Sequence, residues 1–148
     1  MLLESLLAYL HLSALLAVVV FISSQAALCR PEWINAAAVK RLQRLDLIYL
    51  IAAMALLATG LARAWWGIKG NGWYWSQPLL HIKLTAYLVI GGLSLIPTLA
   101  FRRWARALPT LPEPAEVRRV RRWIMIEAHL LMLVPIAAVL LARGVGTR

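Results

Sequence analysis

The sequence predicts an all-α integral membrane protein, folded as an up-and-down bundle of four helices with both termini on the outer, periplasmic side. Three observations support this prediction. Apolar residues make up 62% of the 148 residues and charged residues only 15%, which leaves too little polar surface to coat a soluble globule. Four apolar stretches are long enough to cross about 30 Å of hydrocarbon as helices. The basic residues lie between these stretches instead of along one helix face, which is typical of topology signals.

We expect one domain over residues 1–148, with helices over 2–28, 45–66, 78–101 and 117–142. Since Glu4 opens the first stretch and no basic residue precedes its apolar run, this stretch is expected to be a span and not a cleaved signal peptide. The segment Lys69-Gly70-Asn71-Gly72 predicts a tight turn before the third helix. Prolines at 109, 112 and 114 predict a stiff, extended connection before the fourth. Such short connections favour antiparallel neighbours.

Lysines and arginines predict the orientation. Eleven of the 16 lie in or beside the 1–2 and 3–4 connections; the other five are Arg63, Lys69, Lys83, Arg143 and Arg148. The positive-inside rule then places both basic connections in the cytoplasm of a bacterial inner membrane protein. A net charge of +10 would suggest nucleic acid as a partner of a soluble protein, but here it is explained by topology, so no nucleic-acid partner is expected. The lipid bilayer is the expected surrounding, and the Leu- and Ala-rich faces would suit a second copy of the chain equally well.

Aromatic and small residues add two local expectations. Interfacial aromatics predict an outer belt of Trp65, Trp66, Trp73, Tyr74 and Trp75 and an inner belt of Trp33, Trp104 and Trp123. The Gly91-Gly92 pair predicts a close contact between helices.

A weak internal repeat relates the first and third helices. Tyr9-Leu10-His11-Leu12 and Leu79-Leu80-His81-Ile82 each precede an apolar run that ends in a basic cluster. The spacing to those clusters places His11 and His81 at depths within about 3 Å of each other on parallel helices. Two imidazoles at one level on facing helices provide what a haem iron needs for axial ligation. His11 and His81 are therefore the candidate cofactor ligands.

Arg63 and Lys83 are the candidate catalytic residues, because both are cations in the outer half of the membrane. They would meet haem propionates or a carboxylated substrate there, although snorkelling near a helix end explains them equally well. Lys83 is two residues from His81, about 200° around the helix, so both cannot point straight into one site.

Four other ionisable residues have simpler expected roles. Asp46 and Glu127 lie near the cytoplasmic ends of their helices and are expected to form ion pairs with nearby arginines, with a proton entry path as the sharper alternative. His129 lies too close to its inner helix end to pair with the other histidines, and an interhelical hydrogen bond is expected for it. The single Cys29 is expected to be a thiol at the membrane edge.

The chain resembles, over almost its whole length, an uncharacterised family of small bacterial four-span membrane proteins. The matching segments include Ala8-Tyr9-Leu10-His11, Arg44-Leu45-Asp46-Leu47 and Ala58-Thr59-Gly60-Leu61-Ala62-Arg63. More distantly, it is similar to the HemJ-type protoporphyrinogen oxidases and to the membrane domains of copper-resistance proteins. The HemJ-type marks are His11, Thr59-Gly60-Leu61 and His81-Ile82-Lys83. The fourth helix, with Glu127, His129 and Pro135, and the arginine-rich 3–4 connection depart from that family.

The HemJ-type resemblance implies haem b bound through His11 and His81, a substrate or proton role for Lys83, protoporphyrinogen IX as substrate and quinone as electron acceptor. The residues leave two other classes open. One is a small transporter or metal-handling protein whose hydrophilic path is lined by His11, His81 and Glu4. The other is a non-catalytic subunit that packs through the Gly91-Gly92 surface against a larger membrane complex.

Overall fold

The described part of the chain consists mainly of four long helices, in agreement with the predicted fold class. The computed structural model describes residues 2–66, 72, 76 and 78–143, except for the side chains of 79, 137, 138, 141 and 142. The helices are α1 (Leu2–Leu28), α2 (Ala36–Trp66), α3 (Pro78–Ala107) and α4 (Pro114–Ala142), with a short 3₁₀ turn over Pro31–Trp33 between α1 and α2. The all-α, four-helix prediction is confirmed. The predicted turn at Lys69, Gly70 and Asn71 lies outside the described residues.

The second helix begins earlier than the hydrophobic pattern predicts, at Ala36 instead of residue 45. The side-chain oxygen of Asn35 accepts a hydrogen bond from the backbone N–H of Ala38 at 2.8 Å, which caps the helix at this point. Hydropathy detects only the part of a helix that lies in hydrocarbon. A first section that carries Lys40, Arg41 and Arg44 is therefore missed.

The connection between α3 and α4 is also shorter than predicted. The third helix continues to Ala107 instead of ending at residue 101, and α4 begins at Pro114 instead of residue 117. Proline suits the first position of a helix because its fixed φ is helical and the N–H it lacks would have no helical partner there. Pro114 therefore starts α4, and the prediction that it belongs to an extended connection is wrong.

The helices form a ring in which consecutive helices are neighbours. The most extensive packing joins α1 to α2 and α3 to α4, while contacts of α2 with α3 and of α1 with α4 close the ring. This leaves α1 and α3 diagonal to each other. Apolar side chains fill the centre, among them Val18, Ile22, Leu42, Phe101 and Ile124, each at most 2% exposed.

The outer surface of the bundle is strongly apolar. Exposed residues include Leu16, Ile51, Leu88, Leu99 and Leu133. Within the described residues, three segments are long and apolar enough to cross a membrane: Leu2–Leu28, Ala36–Trp66 and Leu80–Ala107. An apolar outer surface on helices of this length suits lipid contact. That α4 also crosses the membrane stays a prediction.

Two expectations about interfacial and small residues are corrected. Trp104 is 3% exposed and its indole Nε1 donates a hydrogen bond to Glu116 at 3.0 Å, so it belongs to the interior and not to an aromatic belt. Gly91 and Gly92 are exposed, and an added Cβ at either would meet no described atom within 4 Å. The prediction of a close helix contact at this pair is therefore wrong for the described part of the bundle. Trp73, Tyr74 and Trp75 lie outside the described residues.

Candidate functional site

A cavity of about 260 Å³ lies beside His11, in the half of the bundle that contains the beginning of α1 and the end of α2. We call it the His11 cavity. All four helices contribute to it: His11 and Leu15 from α1, Leu56, Leu57, Gly60, Leu61, Arg63 and Ala64 from α2, Leu80, Lys83, Leu84 and Tyr87 from α3, and Val134, Pro135 and Val139 from α4. The walls are mostly aliphatic, and the lining residues Leu61 and Val139 are also exposed on the outer surface of the bundle. This setting suits a ligand that is largely apolar.

Thr59 fixes the orientation of the His11 imidazole. His11 Nδ1 lies 3.0 Å from Thr59 Oγ1, and that hydroxyl donates to a carbonyl of its own helix, at 2.7 Å from Ala55 O and 3.2 Å from Leu56 O. A hydroxyl has one hydrogen to donate, so Thr59 accepts a hydrogen bond from His11 Nδ1–H. The tautomer that results leaves Nε2 with a free lone pair, able to bind a metal or accept a proton.

Gly60 lets α1 and α2 come close enough for this contact. A Cβ built on Gly60 would lie 3.1 Å from His11 Cε1 and 3.7 Å from His11 Nδ1. The first distance is shorter than ordinary van der Waals contact. The Thr59-Gly60 pair therefore supplies a hydrogen-bond acceptor and the space beside it.

Two cations line the same cavity. Arg63 lies one helical turn after Thr59 on α2, and Lys83 approaches from α3; both are half-buried. No acidic residue is among the described lining residues. Positive charge held at the edge of an apolar cavity favours an anionic group on the ligand, and guanidinium pairs especially well with carboxylate.

His81 is placed differently from the other three predicted site residues. It is exposed on α3 and does not line the His11 cavity. Because residues two positions apart point in nearly opposite directions on a helix, the approach of Lys83 to the cavity turns His81 away from it. The structure thus brings together His11, Arg63 and Lys83. Paired ligation by His11 and His81 stays a prediction.

Tyr87 is a cavity residue that the sequence analysis missed. Its ring lines the cavity and its hydroxyl donates a hydrogen bond to the backbone carbonyl of Ala53 on α2. The available signal was its spacing: Tyr87 follows Lys83 by one helical turn, so both lie on the same face of α3. The hydroxyl bond joins α3 to α2 at the floor of the cavity.

A second polar cluster lies deeper in the bundle, and we call it the buried acid layer. Asp46 accepts hydrogen bonds from Thr98 at 3.0 Å and from the Gln25 amide at 3.5 Å, and Glu127 accepts one from the Tyr49 hydroxyl. The carboxyl groups are almost fully buried, with 4% exposure for Asp46 and 1% for Glu127.

The expected ion pairs of these two acids with arginines are not formed among the described residues. The long, flexible side chains of Arg44 and Arg122 are exposed. Arginines near a helix end extend toward water, while the shorter acids remain in the interior. Neutral side chains therefore hold both carboxyl groups.

Two other singled-out residues have local roles. His129 Nδ1 donates a hydrogen bond to the Met125 carbonyl at 2.6 Å, so the expected interhelical bond is replaced by one within α4. Cys29 is fully buried, its thiol points at the Val117 carbonyl at 3.9 Å, and burial raises the pKa of this thiol to about 12, which makes it unreactive. In the described part of the chain, no three His, Cys, Asp or Glu side chains are grouped so that they could hold a metal ion.

Comparison with known proteins identifies a family but no activity. The family model described as "Predicted membrane protein (DUF2214)" matches residues 3–146, which is nearly the entire chain. No curated protein and no solved structure matches the chain.

Proposed function

The chain belongs to the DUF2214 family of predicted membrane proteins, and from this premise we propose that it holds a b-type haem in the His11 cavity and performs redox chemistry within the membrane. We further propose a bacterial inner membrane location with both termini outside, on the strength of the basic α1–α2 and α3–α4 ends. The His11 cavity would then lie in the outer half of the bilayer.

The observation that carries the proposal is the convergence of His11, Arg63 and Lys83 on one apolar cavity. The residues fit a haem in three respects. With Nδ1–H donated to Thr59, His11 would offer Nε2 to the iron. Arg63 and Lys83 suit the two propionates, and the aliphatic walls suit the macrocycle. His81, which lies outside the cavity, would supply a second ligand to the iron only after a change in its placement.

The bound haem would supply one-electron transfer, and the protein groups would supply position and electrostatics. Thr59 would keep the His11 ring in its orientation, and Arg63 and Lys83 would orient carboxylates of the haem or of a substrate. For the substrate, the HemJ-type resemblance favours protoporphyrinogen IX. Each pair of hydrogens removed from it would reduce one quinone to quinol, so that electrons and protons balance.

The test is the dithionite-reduced minus oxidised absorption spectrum of detergent-purified protein, expressed with ample haem supply. We expect a b-type spectrum in the wild type and no such spectrum in His11→Ala. In Arg63→Gln the amplitude of the spectrum, and so the haem content per protein, should be reduced. His129→Ala is the matched control, because that imidazole bonds to its own helix and does not line the cavity. His81→Ala reports separately on the second ligand. A colourless wild-type sample would refute haem binding.

The buried acid layer favours a second candidate, transport coupled to proton movement. Asp46 and Glu127 occupy the bundle interior and form no ion pair among the described residues, and carboxyl groups in such places often carry protons. This candidate predicts proton uptake into liposomes that contain colourless protein. Glu127→Gln would abolish the uptake, while Glu32→Gln, at an exposed position, would not.

A further inference from the structure

A second recess lies at the end of the bundle opposite the His11 cavity, between the 3₁₀ turn and the beginning of α4. We call it the arginine recess. Its lining consists of Arg30, Pro31, Glu32, Arg118, Arg121, Arg122 and Met125, and its volume is about 460 Å³. We propose that this recess binds the phosphate group of an anionic phospholipid, whose acyl chain lies along α4.

Charge and geometry make the recess suitable for a phosphate. Four guanidinium groups face one carboxylate, that of Glu32. Two of the four are held in place: Arg121 Nε donates a hydrogen bond to the Ala26 carbonyl at 3.1 Å, and Arg30 stacks over Trp33 at 5.9 Å from the ring centroid. Arginines held in this way lose little freedom when they bind phosphate oxygens in bidentate fashion.

Arg118 and Arg122 complete the recess from α4. Both are exposed, and they lie one helical turn apart on the same side of the helix. The ion pair that the described residues form at this end joins Arg103 to Glu116, which does not involve either of them. Arg118 and Arg122 therefore remain available to an anion from outside the chain.

An apolar groove continues from the recess along α4, which favours a lipid over a free phosphate ion. The groove shares Arg122 and Met125 with the recess and is otherwise lined by Ile126, His129, Leu130, Met132, Leu133 and Ile136. From Met125 to Ile136 the helix rises about 16 Å, close to the roughly 15 Å of hydrocarbon in one leaflet. A phospholipid whose phosphate group binds in the recess would thus place its acyl chain along the groove.

The site differs from the general attraction of cationic loops to anionic membranes. Basic pockets next to membrane-spanning helices bind anionic headgroups, and each arginine near the surface strengthens the attraction by about 1 kcal/mol. General attraction depends on total charge at this end of the bundle. A built site depends on which arginines carry the charge.

The experiment measures lipid retention by native mass spectrometry in detergent that contains equal amounts of phosphatidylglycerol and phosphatidylcholine. We expect the wild type to retain phosphatidylglycerol preferentially. Neutralising two arginines in Arg118→Gln/Arg122→Gln should weaken this binding by about 25-fold, about fivefold for each. The matched control Arg41→Gln/Arg106→Gln removes the same charge from exposed positions outside the recess and should bind within about twofold of the wild type.

Three outcomes would overturn the proposal. One is an equal loss of binding in both double variants, which would indicate attraction by total charge alone. Another is equal retention of the two lipids by the wild type, a measurement that does not depend on whether a variant folds. The third is efficient competition by inorganic phosphate or glycerol phosphate, which would show that the recess binds a soluble phosphate. With a lipid, these headgroup fragments should compete poorly because they cannot occupy the apolar groove.

Discussion

Replacing Gly60 by alanine tests the contact on which the His11 cavity depends. Alanine in a helix interior is more favourable than glycine by about 1 kcal/mol. At Gly60 the new Cβ would lie 3.1 Å from His11 Cε1, so the imidazole must retreat by a few tenths of an ångström and its 3.0 Å bond to Thr59 must lengthen. Weakening that hydrogen bond costs about 1 kcal/mol, which offsets the gain. We expect the free energy of unfolding to remain within about 0.5 kcal/mol of the wild type.

Gly92 provides the matched control, because a Cβ there meets no described atom within 4 Å. Gly92→Ala should therefore show the full helix gain of about 1 kcal/mol. Both are measured by titrating detergent-solubilised protein with dodecyl sulfate and following helicity by circular dichroism. In a His11→Ala background the offsetting cost disappears, so Gly60→Ala should stabilise that background by about 1 kcal/mol. Equal stabilisation by Gly60→Ala and Gly92→Ala in the wild type would refute the His11–Gly60 contact.

Two further predictions concern polar contacts. Tyr49→Phe removes the hydroxyl that donates to buried Glu127 and should lower the free energy of unfolding by about 1–3 kcal/mol in the same titration. The control Tyr9→Phe, at a residue that is 68% exposed, should change this free energy little. Equal effects of the two substitutions would contradict the burial argument. At Glu116 the hydrogen bond from Trp104, assisted by Arg103, lowers the carboxyl pKa, so its contribution to stability is present above the ordinary glutamate pKa and is lost as pH falls through the lowered value. As the pH is lowered, the free energy of unfolding should therefore decrease less steeply for Glu116→Gln than for the wild type. Equal decreases in the two proteins would exclude this role.

The sequence was sufficient for the helix count, and three of the four site residues that it predicted line the His11 cavity. Long apolar stretches predict helices in lipid because backbone groups must be satisfied within each segment. His11, Arg63 and Lys83 could be placed in the same half of the bundle by depth alone, since helical rise converts residue number into distance. Depth does not determine the direction in which a side chain points around its helix. His81 was therefore grouped with them although it faces outward.

The helix ends and the acid partners were predicted poorly for different reasons. Hydropathy is insensitive to a capped polar extension such as the one that starts at Asn35. Proximity in sequence suggested arginine partners for Asp46 and Glu127. Their actual partners, Thr98 and Tyr49, come from other helices and are revealed only by packing. From the sequence, Gly60 could be identified only as a small residue. Its role depends on which side chain approaches it, and only the packing of the helices shows this.

The buried acid layer has a structural consequence that is independent of its chemistry. Lipid tails solvate apolar side chains as well as other helices do, so apolar burial alone gives little preference for one helix register over another. The layer removes this freedom through α2: Asp46 is bonded to Gln25 of α1 and Thr98 of α3, and Tyr49 is bonded to Glu127 of α4. A shift of any helix by one turn, about 5.4 Å, would leave a polar group unsatisfied in the interior. This layer therefore fixes the relative heights of the helices, and with them the approach of His11, Arg63 and Lys83 to one cavity.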